Sequence, residues 1–456
     1  MGSKLKDPRP TTQAIEPVDD FLQSIGPGLD RGELPVRIFG DADIHAIELE
    51  RIFTRGWVFV GHESEIPEKG DYVLRPIGED QFILVRDEDG IIRLLLNNCA
   101  HRAVTICRAE RGNTSHFRCP YHAWVYKNSG EWVGAPLRRR AYQNFDAKAW
   151  GLQAAPHVET IHGLIFASLN PEAAPLDEYL GGMRWYLDAL FDLNGAGFKV
   201  IGEPQKWKVA ANWKSAAENN IGDAYHVPSL HRSGEDIGVF PDIEQAGGAG
   251  TSRHLYFDEG HGMILSTGFL PEPMWHKTGF PADVAATFEL DRIKPEQREF
   301  IETYALTAGT IFPNLGIARV PASPYPGAPP VIFTVLRMWQ PDGPDSFINW
   351  NWILGLKTAS DQFNKDAYFA SLAMLGPAGI FEQDDSVVWE GMPIAGRSAF
   401  ARKRRMNINY QLGLEGMSEY QIDADWKWPG HATTTVLGEA PQRAFYRRWL
   451  RDMTTP

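Results

Sequence analysis

Four side chains that commonly bind metals occur as two pairs in the first third of the chain. One residue separates Cys99 from His101, two separate Cys119 from His122, and seventeen lie between the pairs. Such a set binds either one tetrahedral Zn²⁺ or a [2Fe–2S] cluster with two Cys on one iron and two His on the other. Zinc motifs generally pair like with like, so the mixed pairs favour the cluster. Cys107, inside the spacer, is interpreted as a small packing residue.

A second dense group of polar residues follows about one hundred positions later. On one helix, Asn219, Asp223 and His226 would share a face, because they stand at i, i+4 and i+7. Pro228 is expected to end that helix and to let the chain return His231 towards His226. Two imidazoles and one carboxylate form the facial triad that binds mononuclear non-haem Fe(II). His226 and His231 therefore predict a mononuclear iron site whose carboxylate ligand must come from another part of the chain.

The missing carboxylate has three candidates near position 380. The segment GPAGIFEQDD, residues 376–385, contains Glu382, Asp384 and Asp385. Any of the three could complete a triad, and the alternative is an acidic helix start after a Gly/Pro break. The residues alone do not choose among them.

The elements that must position these residues differ between the two halves of the chain. Residues 1–40 are rich in Pro, Gly and Asp and predict a leader with few core contacts, followed by an amphipathic helix from Asp43 to Trp57. Short β-type runs broken by turn residues fill 57–170, which predicts a small all-β unit. After Pro175 the pattern is mixed. Helices are predicted at 177–192, 213–227, 359–375 and 442–453, and strands at 331–339 and 348–356.

The predicted fold class is α+β, with a small all-β domain and a larger domain in which helices flank an antiparallel sheet. Residues 1–55 form the leader and helix, which pack with the larger domain; 56–175 form the small domain and 176–456 the larger domain. A dinucleotide or P-loop fingerprint is missing from the sequence. Redox work would therefore need electrons from a partner protein.

Composition narrows the function classes. The 456 residues carry 45 Lys and Arg against 58 Asp and Glu, a formal charge of −13 that disfavours nucleic acid or membrane as a partner. Three cysteines are too few for a disulfide scaffold. The absence of an export signal or a long apolar run predicts a cytoplasmic protein.

Two sets of motifs now point to one family. Residues 97–132, with the pattern C-x-H-x₁₇-C-x-x-H, resemble the Rieske domain of aromatic-ring-hydroxylating oxygenase α subunits of the naphthalene/biphenyl type. The segments E-N-x-x-G-D-A-Y-H-V-x-x-x-H and G-P-A-G-x-x-E-x-D-D resemble the catalytic domain of the same family. This chain departs from the family at Ala103 and Ala123, where glycine is usual.

The resemblance implies one Rieske [2Fe–2S] cluster and one mononuclear Fe(II) in each subunit. In the family pattern the second acid of the pair is the iron ligand, which gives the set His226, His231 and Asp385. Asp223 takes the catalytic position that bridges His226 to His122 of the partner subunit, and Asn219 is the second catalytic candidate. A head-to-tail trimer follows, either α3 or α3β3 with a small β subunit. Electrons would come from NAD(P)H through a reductase and a ferredoxin, and the product would be a cis-dihydrodiol.

The substrate pocket can be predicted only where motifs align. Its candidate residues are mostly apolar and carry no Lys or Arg, which favours a mono- or polycyclic aromatic hydrocarbon: Asn219, Asn220, Ala224, Val227, Leu306, Leu375 and Phe381. A benzoate- or phthalate-type acid is the alternative, since Arg232, Arg253, His254 or Lys277 could bind a carboxylate. A Rieske monooxygenase or demethylase and a non-catalytic electron carrier or zinc module are further alternatives.

Overall fold

The structure is a computed structural model that describes residues 17–241, 252–268, 270 and 275–455. The first sixteen residues of the predicted leader lie outside this description. Among the described residues, none of the helices is both long enough and apolar enough to cross a membrane.

The rest of the predicted leader is part of the core. Helix α1 (Val18–Leu29) buries Phe21 and Ile25, one turn apart, in the same hydrophobic cluster as Trp449 near the C-terminus. The short strand β1 (Glu33–Pro35) follows. The expectation of few core contacts was wrong for residues 17–40, because the abundant Pro and Gly masked a helical apolar pattern.

The next helix forms as expected but ends sooner. Helix α2 (Ala42–Glu48) begins after Asp41, whose carboxylate accepts a hydrogen bond from the Asp43 N–H at 2.9 Å. It continues into one π-helical turn over Leu49–Phe53. The predicted helix therefore stops four residues before Trp57.

The small all-β unit consists of short antiparallel strands in three sheets. One sheet has the order β10-β11-β2, the second β5-β4-β3-β6 and the third β7-β8-β9, with a short helix α3 (Arg138–Ala141) after β9. The strands are β2 (Val58–His62), β3 (Asp71–Ile77), β4 (Asp80–Arg86), β5 (Ile92–Leu96), β6 (Arg111–Asn113), β7 (His116–Arg118), β8 (Val125–Lys127), β9 (Trp132–Gly134), β10 (His157–Ile161) and β11 (Leu164–Ser168).

The larger unit is built on one antiparallel sheet with the order β12-β19-β18-β17-β16-β15-β14-β23, in which β13 also pairs with β19. Its long central strands confirm the two strands predicted from the sequence. The strands are β12 (Phe198–Val200), β13 (Gln205–Val209), β14 (Arg253–Tyr256), β15 (Gly262–Ser266), β16 (Ala305–Ile311), β17 (Leu315–Ala322), β18 (Val331–Pro341), β19 (Phe347–Leu356) and β23 (His431–Ala432). Three short strands lie outside this sheet: β20 (Asn407–Asn409) pairs with β1, and β21 (Leu414–Glu415) pairs with β22 (Ser418–Glu419).

Helices cover this sheet and flank the second group of polar residues. They are α4 (Leu176–Leu180), α5 (Met183–Phe191), α6 (Trp213–Gly222), α7 (Val227–Leu230), α8 (Arg232–Asp236), α9 (Ala282–Ala285), α10 (Pro295–Thr303), α11 (Asp361–Leu375), α12 (Ile380–Trp389), α13 (Gly391–Arg397), α14 (Ala399–Lys403) and α15 (Ala440–Thr454). Helix α6 packs against β15, β16 and β17, while α11 packs against β18 and supports α12. The two units together confirm the α+β fold class.

Two predicted helices are divided in the structure. The helix expected at 177–192 is interrupted at Gly181, whose φ of +50° leaves the helical region. The helix expected at 213–227 ends at Gly222. The helices predicted at 359–375 and 442–453 are confirmed as α11 and α15.

Candidate metal centres

The two Cys/His pairs lie on two loops with the same backbone geometry. In the first loop, after β5, the Ala103 N–H donates to the Cys99 carbonyl at 2.8 Å. In the second loop, between β7 and β8, the Ala123 N–H donates to the Cys119 carbonyl at 3.1 Å. Ala103 and Ala123 have φ values of 53° and 54°, in the left-handed region where glycine is favoured. Each Ala therefore stands where a tight turn needs a residue with positive φ.

The side chains of the loops sort by type. Cys99 and Cys119 are both buried, and the neighbouring Cys119 thiol contributes to raising the pKa of Cys99. The rings of His101 and His122 have centroids 4.6 Å apart. Two thiols thus form one pair and two imidazoles the other, which is the division that a Cys₂/His₂ cluster requires.

Tyr126 on β8 completes the surroundings of Cys99. Its hydroxyl accepts a hydrogen bond from the Ala100 N–H at 3.2 Å and lies 3.1 Å from Cys99 Sγ. Because the hydroxyl oxygen already accepts from Ala100, its own hydrogen is free to point at the sulfur. Burial raises the pKa of the Cys99 thiol, an effect that a bound metal would reverse by holding the thiolate.

The third cysteine lies apart from this arrangement. Cys107 is 8 % exposed, and its Sγ lies 3.6 Å from the Ala109 carbonyl oxygen. It packs beside Tyr72 and Phe117 in the core of the small domain.

The second group of polar residues is brought together differently from the prediction. Helix α6 ends at Gly222, and the Asp223 N–H closes it by donating to the Asn219 carbonyl at 3.0 Å. His226 therefore lies beyond the helix, immediately before the separate short helix α7, so the predicted i, i+4, i+7 face was wrong for it. Pro228 occupies the first turn of α7, where its missing N–H is tolerated, rather than ending α6. The turn of α7 then places His231 beside His226.

Three ligand atoms converge at this point. The Nε2 atoms of His226 and His231 are 3.1 Å apart. Oδ1 of Asp385, on α12, lies 3.5 Å from the first and 3.4 Å from the second. In the part of the chain that the structure describes, this is the one set of three metal-ligating atoms that all lie within 4.8 Å of each other.

The buried carboxylate of Asp385 indicates that the triad can bind a cation. Oδ1 of Asp385 is buried and has no hydrogen-bond partner among the described residues. Burial raises the pKa of this carboxyl to about 7. An ion between the two imidazoles would supply the positive charge that the buried oxygen lacks. Among the described residues, the Cys and His atoms of the cluster loops do not all lie within 4.8 Å of one another, as the ligands of a single zinc would.

A carboxylate lies behind each imidazole. Asp223 Oδ2 is 3.3 Å from His226 Nδ1, and Asp384 Oδ2 is 3.3 Å from His231 Nδ1. Burial alone would raise the pKa of Asp223, but its hydrogen bonding and attraction to His226 lower it below the usual value. Carboxylates placed on the distal nitrogen fix the tautomer and the orientation of a metal-binding imidazole.

The structure separates the roles of the three candidate acids. Glu382 is fully buried and pairs with Arg337 of β18; Trp207 Nε1 donates to its carboxylate at 3.1 Å. Asp384 faces the distal nitrogen of His231, and only Asp385 faces the shared space between the two Nε2 atoms.

The predicted pocket residues are only partly brought together. The ring of Phe381 stacks on His231 at 3.8 Å and 11°, and Leu375 packs in the same hydrophobic cluster as Phe381. The Asn219 amide lies 3.5 Å from His226 Nε2.

Other predicted pocket residues have different environments. Asn220 is buried and donates to the Gly309 carbonyl. Ala224 and Val227 are half-buried on the segment that carries His226. Leu306, on β16, belongs to a hydrophobic cluster other than that of Phe381. The structure thus supplies direct contacts with the triad for Asn219 and Phe381.

The basic residues considered for a substrate carboxylate have partners of their own. Arg232 pairs with Asp236 at 2.9 Å, Arg253 with Asp423 at 3.1 Å, and Lys277 with Glu302 at 3.2 Å. His254 is fully buried, and burial lowers its pKa to about 4.

Sequence reasoning missed two residues that shape the sites. Asp384 was considered only as a ligand, and Tyr126 was not considered. A signal for each exists in the sequence: an acid directly beside the candidate ligand Asp385, and a tyrosine seven residues after Cys119 on the strand that leaves the candidate cluster loop.

Comparison with known proteins defines the class. The Rieske [2Fe-2S] domain family matches residues 56–153, and the ring-hydroxylating alpha subunit (catalytic domain) family matches residues 176–455. The chain belongs to the family of ring-hydroxylating oxygenase α subunits and is a Rieske-type oxidoreductase. The resemblance seen in the motifs is confirmed.

Individual relatives span nearly the whole chain. One is the N,N-dimethyl phenylurea N-demethylase subunit alpha of Sphingobium sp. (strain YBL2), 38 % identical over 96 % of this chain and 95 % of that protein. Another is a benzene 1,2-dioxygenase subunit alpha of Pseudomonas putida, 32 % identical over 93 % of this chain and 92 % of that protein. The crystal structure of naphthalene 1,2-dioxygenase from Rhodococcus sp. bound to indole has a TM-score of 0.88 and 40 % identity, covering 95 % of this chain and 98 % of that one.

Proposed function

We propose that this chain is the catalytic subunit of a dioxygenase that cis-dihydroxylates an aromatic ring, with a mono- or polycyclic hydrocarbon as substrate. The single observation that carries the proposal is the convergence of His226, His231 and Asp385 in a chain that also has a Rieske domain. We assign these three residues as ligands of Fe(II), and Cys99, Cys119, His101 and His122 as ligands of the cluster. Bound iron would activate O₂, and the cluster would supply electrons one at a time.

The protein's own side chains prepare the iron site. Asp223 and Asp384 hold the distal nitrogens of His226 and His231, so that both Nε2 atoms face Asp385. The stacked ring of Phe381 covers one face of His231 and keeps water from that side. Asn219, with its amide beside His226 Nε2, is the candidate for contact with O₂ or substrate.

Apolar surroundings support a hydrocarbon substrate. Phe381 and Leu375 lie in a hydrophobic cluster next to the triad, and the nearby basic residues are paired elsewhere. A flat hydrocarbon would bind by burial of apolar area, whereas a benzoate- or phthalate-type acid would need an unpaired cation.

The N-demethylase relative favours a second candidate. That protein is 38 % identical over almost the full length of this chain, so hydroxylation of an N-methyl group, which then leaves as formaldehyde, is the alternative reaction. The two reactions differ in product and in the number of oxygen atoms retained.

Isotope labelling distinguishes these reactions. The purified protein, supplied with ferredoxin, reductase and NADH under ¹⁸O₂, would be incubated in turn with naphthalene, biphenyl, benzoate and an N,N-dimethyl phenylurea. A cis-diol carrying two ¹⁸O atoms from a hydrocarbon supports the proposal. Formaldehyde release from the phenylurea, without diol from any ring, would replace it by the demethylase function.

The assembly is proposed on the same basis. Asp223 would connect His226 with His122 of the partner subunit, an arrangement that needs a head-to-tail α3 trimer or an α3β3 hexamer with a small β subunit. The electron donors would be a ferredoxin and an NAD(P)H-dependent reductase, and the protein would work in the cytoplasm, where both are reduced. Light scattering of the protein purified alone and after co-expression with a β subunit tests the stoichiometry.

A further inference from the structure

The small domain carries a charge opposite to that of the whole chain. Residues 98–150 contain nine Lys or Arg and three Asp or Glu, a net charge of +6 within a chain of −13. All nine basic residues are exposed. This reversal is concentrated around the cluster loops and the helix α3 that follows them.

Most of this positive charge is available to a partner. Arg111 pairs with Glu203 and Lys127 with Glu131. The remaining basic side chains form no ion pair with any residue that the structure describes: Arg102, Arg108, Arg118, Arg138, Arg139, Arg140 and Lys148. Three of them are consecutive on α3, which concentrates charge at one place.

Aromatic rings connect this surface with the cluster. His101 stacks on Trp124 with ring centroids 4.8 Å apart and an interplanar angle of 4°. Trp124 in turn contacts Trp150, at 6.5 Å, and Trp132, at 5.5 Å, over which Arg138 lies. Trp150 is 44 % exposed. Two ring contacts therefore lead from a cluster ligand to the exposed Trp150, and a branch through Trp132 ends beneath Arg138.

We infer that α3, with Arg139, Arg140 and the exposed edge of Trp150, is the docking surface for a small acidic [2Fe–2S] ferredoxin. The inference rests on the proposed function, in which the cluster receives electrons. Complementary charge would orient the ferredoxin and speed its association, and the aromatic edge would form the centre of the contact. One electron passes from the reduced ferredoxin, which is oxidised, to the oxidised Rieske cluster, which is reduced; no bond forms or breaks.

A charge-reversal pair tests the surface. Arg139→Glu/Arg140→Glu changes the charge of α3 by four units and leaves Arg138 over Trp132. The matched control is Arg402→Glu/Lys403→Glu, the same change on exposed residues of the short helix α14 of the catalytic domain. The probe is a purified acidic [2Fe–2S] ferredoxin, with a basic cytochrome c as the protein that should not bind.

The readouts are the dissociation constant by calorimetry and the stopped-flow rate at which the reduced ferredoxin reduces the cluster. We expect the α3 variant to weaken binding at least tenfold at low salt and to lose most of the salt dependence, while the α14 variant matches the unmodified protein. Equal binding by the two variants would overturn the inference, as would failure of the unmodified protein to bind ferredoxin.

Two further measurements separate this inference from the proposed function. Dithionite should reduce the cluster equally in all variants; a protein with no cluster to reduce would contradict the proposed function instead. If the α3 variant changes the oligomeric state in light scattering while ferredoxin affinity stays constant, the surface is an interface between copies of the chain and the inference is wrong.

Discussion

Asp223 and His226 form a carboxylate–imidazole pair in which Oδ2 lies 3.3 Å from Nδ1, while Nε2 of the same ring faces Asp385. The side chain of Asp223 is 38 % exposed, and that of His226 is 18 % exposed. One imidazole thus has one nitrogen directed into the protein's buried triad and the other directed towards an accessible carboxylate. This geometry suits a residue that connects the proposed iron site with something outside the chain.

Replacement of Asp223 tests that connection. In Asp223→Ala we expect iron and cluster contents to stay unchanged, because Asp223 contributes no ligand atom to the triad. Product formation should fall by about 10- to 100-fold, since the carboxylate that would connect His226 with His122 of the partner subunit is removed. Metal analysis and single-turnover product yield with a pre-reduced cluster measure the two effects.

A matched control exists in the same chain. Asp188 lies 2.7 Å from the ring of His162, another carboxylate–imidazole pair with no part in the triad. Asp188→Ala should leave turnover unchanged. Near-normal product formation by Asp223→Ala would refute the bridging role.

Asp384 should act on the affinity for metal rather than on electron delivery. Its carboxylate lies 3.3 Å from His231 Nδ1 and 3.4 Å from the Ser233 hydroxyl, so it fixes the ring from behind. Asp384→Ala is expected to weaken Co²⁺ binding to the metal-free protein by about 10- to 100-fold. Asp384→Asn should recover most of the affinity, because an amide oxygen still accepts from Nδ1–H.

Co²⁺ absorption titrations measure this directly and need no turnover. Asp385→Ala is the comparison, since loss of a ligand should abolish tight binding. Unchanged affinity in Asp384→Ala would show that His231 is held by its packing against Phe381 alone.

Residue types and spacing were sufficient to propose two candidate metal sites but not to predict their surroundings. Cys99, His101, Cys119 and His122 lie on local loops, so their spacing in the sequence reports their proximity directly. The sequence alone could not identify Asp385 among the three acids. Glu382 is unavailable as a ligand because it pairs with Arg337, which lies 45 positions away on a strand. Only the tertiary packing of α12 against the sheet decides which acid faces the histidines.

Helix ends were equally difficult to predict. The sequence after Gly222 continues with Asp223 and Ala224, which gives no strong stop signal, and Pro228 suggested a later end. In the structure, Gly222 packs against Pro441 and Gln442 of α15. Residues more than 200 positions away therefore contact the end of α6. Local propensity cannot register such contacts.

Tyr126 should set the reduction potential of the cluster. Its hydroxyl lies 3.1 Å from Cys99 Sγ, and a hydrogen bond to a ligand sulfur stabilises the reduced, more negative cluster. In Tyr126→Phe we expect the potential to fall by about 60 mV, the shift for a one-electron couple that corresponds to a bond of about 1.4 kcal/mol.

Protein-film voltammetry measures this shift. The control is Tyr142→Phe, which removes a hydroxyl from a ring that contacts Trp124 but for which no bond to a cluster ligand is described. An unchanged potential in Tyr126→Phe would contradict the role of the hydroxyl.

The two alanines of the cluster loops should be replaceable by glycine with a gain in stability. Ala103 and Ala123 have φ values near +53°, a conformation that costs an L-residue about 1–2 kcal/mol relative to glycine. Glycine loses more backbone entropy on folding, about 0.5–1 kcal/mol, so we expect a net gain of about 0.5–1 kcal/mol for each substitution.

Scanning calorimetry of the cluster-loaded protein at one fixed scan rate should show a higher unfolding temperature. Ala46→Gly, at an exposed position inside α2, should lower it, because glycine has no strain to relieve there. If Ala103→Gly or Ala123→Gly lowers the unfolding temperature as Ala46→Gly does, the methyl groups stabilise the loops by packing that outweighs the backbone strain.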